Sequence, residues 1–126
     1  MDTSIQEAKM YLDNARGILS EKANKKDGYY QDTKYVKVAG HTAYAAVLVA
    51  LDSYLGKKGK GRKDVDWYKQ RLSALDKKLL TRFVCVYDIL HLSMSYDGIP
   101  NASVAKIGLK EAELIIDWLE SRTANA

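Results

Sequence analysis

Proline occurs once in this chain of 126 residues, at Pro100, cysteine once, at Cys85, and phenylalanine once, at Phe83. A lone cysteine excludes an intrachain disulfide. Its apolar neighbours, with no histidine nearby in sequence, point to a buried structural thiol and away from a nucleophile. With one proline, long helices can run without a break. No segment alternates apolar and polar residues, so no strand is expected. The longest uncharged apolar run, 38–51, contains His41 and Thr42 and is too short to cross a bilayer. The opening Met1-Asp2-Thr3-Ser4 has neither a basic nor an apolar leader region. These absences favour a cytoplasmic protein without a membrane partner.

What is present is ordinary globular composition, 47% apolar and 29% charged, in a length that fits one domain. The ordered core is expected over about residues 4–121. The net charge of +4 is unevenly placed. Lys57, Lys58, Lys60, Arg62 and Lys63 crowd one glycine-rich loop, and the remaining 15 basic residues face 16 acidic ones. The loop superficially matches a phosphate-binding loop. However, Arg62 and Lys63 stand where that motif needs Lys and Ser or Thr, and a helix precedes it where a strand is required. A solvated loop is the default reading. The functional alternative is weak, sequence-blind nucleic-acid binding through these five residues, without aromatic interleaving for base stacking.

The apolar spacing predicts four long helices and one short one. Ser4-Ile5-Gln6-Glu7 reads as a capping box with Ser4 as N-cap. It opens a first helix to about Asn24, in which Gly17 marks a close helix contact. Lys25-Lys26-Asp27-Gly28 is turn chemistry. A second helix from Asp32 or Thr33 to Leu55-Gly56 is apolar on two faces and rich in small residues, so it is central. Asp64 caps a short third helix, and Ser73-Ala74-Leu75-Asp76 marks a break. A fourth helix carries Leu79, Leu80, Phe83, Tyr87, Leu90 and Met94, and ends at Asp97-Gly98-Ile99-Pro100. The last begins at Asn101 or Ser103, with Val104, Ile107, Ala112, Ile115, Trp118 and Leu119 inward and a frayed tail from Ser121. The expected fold is all-α: an antiparallel four-helix bundle with an additional short helix.

Nine tyrosines against one phenylalanine is a pronounced bias. Tyrosine suits core edges, pocket rims and partner surfaces, and Tyr29 and Tyr30 are candidates for a dimer surface. The catalytic candidates are His91, Asp88 and Tyr87. Asp88 and Tyr87 lie three and four residues before His91, on its side of an α-helix, where Asp88 would orient and charge the imidazole. No nucleophile accompanies them, and a lone His on an apolar helix is ordinarily a core residue. Asp88-Ile89-Leu90-His91 is a single Asp analogue of the Glu-x-x-His metal motif, so no metal and no cofactor are expected.

Three segments together resemble the HEPN superfamily of helical bundles: Tyr35 to Ala46, with its small-residue and Tyr-Ala core; Tyr87 to Gly98; and Ala102 to Leu119, with Ala105, Ala112 and Trp118. Within it, the resemblance is to an uncharacterised bacterial group that lacks the ribonuclease motif. Active members pair an Arg and a polar residue with a His four to six positions on, and join His and Arg from two subunits on RNA. Here the nearest upstream arginine is Arg82. Nine steps of about 100° put it on the opposite helix face from His91. The resemblance thus implies a homodimeric, non-catalytic binding or assembly protein, with a protein partner encoded nearby. The alternative is a divergent ribonuclease or toxin–antitoxin component with His91 as general base.

Overall fold

The computed structural model describes residues 3–56 and 63–124. Its elements are α1 (Ser4–Lys22), a two-residue hairpin of β1 (Lys25–Lys26) and β2 (Tyr29–Tyr30), α2 (Thr33–Leu55), α3 (Val65–Leu75), α4 (Lys77–Val86) continued by a π-helical segment (Tyr87–Tyr96), and α5 (Ala102–Ala124). The fold is all-α apart from that hairpin.

Side-chain pairings fix the directions. Lys9 pairs with Glu120 and Arg16 with Glu113, so α1 and α5 run in opposite senses. Arg82 pairs with Glu111 while Gly108 meets Ile89, so α4 with its π extension also opposes α5. Gly40 meets Met94 and Tyr44 meets Phe83, so α2 opposes the same composite helix. The short α3 packs on α4, and α2 sits against α1, α5 and the π segment.

Short polar residues set the boundaries where backbone N–H groups would otherwise be orphaned. Asp64 accepts from the Trp67 N–H at 2.9 Å. Asp76 ends α3 and starts α4, its Oδ1 accepting from the Leu79 N–H at 2.8 Å. Asn101 accepts from the Val104 N–H at 3.1 Å and opens α5. The capping box at Ser4 does not form. Ser4 is already helical, Thr3 stands at the N-cap, and the Glu7 carboxylate takes the Tyr11 hydroxyl at 2.9 Å. Between α1 and α2, Asp27 (φ 54°) and Gly28 (φ 84°) both adopt left-handed backbone. That conformation makes a two-residue turn close a hairpin and not merely reverse the chain. The strands were not foreseen because two residues carry no period.

The core is one cluster, from Ala8 on α1 to Leu119 on α5, with Leu51, Leu72, Phe83, Leu90 and Ile115 among its fully buried members. On α2, Ala39, Gly40, Ala43, Ala46 and Ala50 are buried, so neighbouring backbones approach closely. By length and composition, α2 is apolar enough to cross a membrane, longer than the run counted in the sequence because Tyr35, Val36 and Leu55 extend it. In this fold it is the central core helix. Four other expectations change. Nothing lies within 4 Å of a Cβ placed on Gly17, so it marks no close contact. Ile107 is 53% exposed because Ala105, Gly108 and Leu109 face inward. Cys85 is half-buried. The last helix continues through Ala124, past the expected fraying point at Ser121.

Candidate functional site

The segment Tyr87–Tyr96 is a π-helix, in which each N–H reaches back five residues in place of four. Gly98, at φ 64°, closes it. The Asp97 N–H donates to the Leu92 carbonyl at 3.0 Å and the Ile99 N–H to the Ser93 carbonyl at 2.9 Å. The wider turn has a specific effect on side chains. In an α-helix, five residues advance by about 500°, so positions 91 and 96 would diverge. In the π segment they align, and the His91 and Tyr96 rings meet edge-on at 5.1 Å.

His91 lies within a group of tyrosines. It stacks on Tyr44 of α2 at 4.6 Å and 24°, and contacts Tyr87 at 5.2 Å. Tyr44 also meets Tyr87 at 6.1 Å and Phe83 at 6.5 Å. Burial, with Tyr87 second, pushes the Tyr44 hydroxyl up to about 12. The imidazole pKa is pushed down, first by burial and then by the exposed His41 nearby. Its Nδ1 is buried without a hydrogen-bond partner.

The three catalytic candidates therefore part company. Tyr87 and His91 share the aromatic group, but Asp88 points to solvent, and no hydrogen bond joins it to His91. Arg82 is held by Glu111 of α5 at 2.8 Å, whereas His91 faces α2. Arginine and histidine are thus on different sides of the helix. Among the described residues no carboxylate orients the imidazole, and the nearby cation, Lys69, lies 5.6 Å from the centroid of the Tyr87 ring. Cys85 adds no nucleophile, because burial, then Glu111 and Asp88, push its thiol pKa up and keep it protonated. Among the described residues no three of His, Cys, Asp and Glu gather as a metal site.

Of the basic loop, Lys57, Lys58, Lys60 and Arg62 lie outside the described residues. Lys63 is described, and its ammonium is engaged within the protein. It donates to Asp52 Oδ1 at 3.1 Å and to the Gly56 carbonyl at 2.6 Å, and lies 5.0 Å from the Trp67 ring centroid. A cation on the last carbonyls of α2 offsets the negative end of its dipole. Asp52 also accepts the Tyr68 hydroxyl at 2.6 Å, so Lys63 anchors α3 to α2.

A cavity of about 740 Å³ lies elsewhere, between the end of α1, β1 and the start of α5. Leu19, Leu109 and Ala102 supply its apolar lining, and Tyr30 contributes a half-buried ring. Arg16, Lys25, Lys106 and Lys110 stand around it. No sequence motif signals this pocket, because its cations come from three separated segments. The usable signal is weaker: Lys25 beside a turn, and Lys106 and Lys110 four apart on one helix face.

The whole architecture is shared with a known protein. A solved structure described as a protein of unknown function from Dyadobacter fermentans is 59% identical and superposes with a TM-score of 0.94, covering 97% of this chain and 99% of that one. No curated protein matches the sequence. The model of the family described as "Domain of unknown function (DUF5618)" matches residues 3–121, and the chain belongs to that family.

Proposed function

We propose that the protein is a non-catalytic, HEPN-like helical module for binding and assembly, acting in the cytoplasm as a homodimer. The observation that carries the first part is the environment of His91. General acid–base catalysis needs a side chain within hydrogen-bond reach of its proton partner and a pKa matched to the task. The His91 imidazole is stacked on Tyr44 beside Tyr87 and Tyr96, has an unpartnered Nδ1 and is biased toward its neutral form by burial. That environment suits a packing residue.

Surface composition supports assembly. Near the crossing of α2 and the π segment, Val38, Leu92, Tyr96 and Ile99 are exposed, Tyr96 by 66%. Tyr96 is the aromatic member of this group, and aromatic residues are enriched at subunit contacts.

A structured RNA incubated with the protein tests the catalytic question. No cleavage is expected from the native chain. Cleavage that disappears in His91→Ala would replace this reading with the ribonuclease alternative. Sedimentation equilibrium tests the assembly: a dimer is expected, weakened by Tyr96→Glu, and a monomer at high micromolar concentration overturns it.

A further inference from the structure

We propose that the pocket between α1, β1 and α5 binds a soluble organic anion with an apolar body, a carboxylate or phosphate-monoester head carrying an aliphatic or aromatic group. The inference rests on the binding role above and names the ligand class. Its volume of about 740 Å³ lies within the usual range for small-molecule sites, about 300–1,000 Å³, which combine an apolar lining with a few placed polar groups.

The charges select the sign of the ligand. Arg16 and Lys110 are already engaged: Glu113 takes the Arg16 guanidinium at 2.5 Å and the Lys110 ammonium at 3.1 Å, and Asp13 lies 3.8 Å from Arg16. Both cations hold the Glu113 pKa down and keep it ionised. Lys25 and Lys106 line the same cavity, and neither has an ion pair among the described residues. The cavity therefore carries two uncommitted ammonium groups and no uncommitted carboxylate. Ala102, the first residue of α5, also lines it, with its own N–H committed to the Gly28 carbonyl at 3.0 Å.

The lining selects the body. The apolar side chains Leu19 and Leu109, both almost wholly buried, line the pocket with the half-buried Tyr30. An inorganic anion would leave that apolar lining in water. A nucleic-acid backbone would place sugars there, whereas an aliphatic or aromatic group of the ligand gains about 25 cal/mol for each Å² it buries. A recess of this size takes one molecule, which favours a dispersed ligand over a lipid surface.

Titration calorimetry with octyl phosphate and octanoate tests the proposal. One molecule per chain is expected to bind. Octanol and inorganic phosphate should each bind at least tenfold more weakly, since each lacks half of the recognition. Replacing both lysines, Lys25→Ser with Lys106→Ser, should weaken octyl phosphate by tenfold or more. Ser20→Trp, at an exposed rim position, should block the pocket while the circular dichroism stays native. Affinity unchanged by both variants overturns the proposal, as does octanol binding equal to that of octyl phosphate. Binding confined to phosphatidylglycerol vesicles, or to single-stranded RNA, overturns it in favour of a surface or a polynucleotide. Failure here leaves the RNA-cleavage result untouched, and cleavage would leave the pocket intact, so the two readings fail separately.

Discussion

Along α2 and the π segment the two backbones touch; along α1 and α5 long charged side chains bridge the gap. A Cβ added to Gly40 would stand 2.6 Å from Met94 Cβ and 2.7 Å from the Leu90 carbonyl oxygen. The facing side of α1 and α5 instead carries Lys9–Glu120 and Arg16–Glu113, with a cavity just beyond the second pair. The first interface is aromatic and close-packed, and it holds the half-buried His91. The second is charged and incompletely filled. Rigidity and ligand access are thus separated, and the residues best suited to meet a ligand lie away from the residues best suited to catalysis.

The largest expected effect breaks the tight interface. Gly40→Val places branched carbon against backbone atoms that cannot step aside, and overpacking costs about 1–3 kcal/mol; urea denaturation should show it as a lowered midpoint. Gly17→Ala is the matched control on α1. With nothing within 4 Å of the new methyl, removing a mid-helix glycine should stabilise the fold by about 0.5–1 kcal/mol. Equal destabilisation by both substitutions would erase the distinction between the two faces. Smaller still is Glu113→Gln. The pairs it breaks are partly exposed, so about 0.2–1 kcal/mol should be lost, and less at high salt.

The histidine sharpens the comparison through pH. The folded His91 pKa lies below its ordinary value because burial, and secondarily His41, disfavour the cation. The unfolded chain therefore takes up this proton first as pH falls. The stability linked to His91 is complete above the unfolded value of about 6.5 and is lost on acidification below it. Denaturation midpoints measured from pH 7.5 to 5.5 should fall for the native chain and change less for His91→Phe, which keeps a ring against Tyr44. Identical slopes would show that the imidazole remains solvated in the fold.

Much of the architecture could be read locally. Asp64 and Asn101 each announce a helix start because a cap needs only one side chain and the N–H groups just beyond it, while Ser73-Ala74-Leu75-Asp76 announced a break whose cap is its last residue, Asp76. Gly98 announces an end for a similar reason. The paired small residues of α2 announced a central helix. What could not be read was pitch. Tyr87, His91 and Met94 fit α-helical spacing, and nothing in their identities reveals that the turn widens there. Asp88 consequently seemed to share a face with His91, and Tyr96 did not. The pocket was invisible for a different reason. Arg16, Lys25 and Lys106 are brought together only when α1 and α5 pack antiparallel and the hairpin folds between their ends. A motif search along the chain cannot report a site made by topology.

The π segment also bears on how this protein tolerates changes in length. Its wider turns fit more residues into a given rise than α-helix does, so Tyr87–Tyr96 holds surplus chain between α4 and the Gly98 stop. A one-residue deletion there has somewhere to go, because the helix can tighten toward α pitch while its ends stay in register. The same deletion within α2 would rotate every later side chain by about 100° and scatter the core. The alignment of His91 with Tyr96 is therefore a property of chain length as much as of sequence, and shortening this stretch would dissolve it without unfolding the helix that carries it.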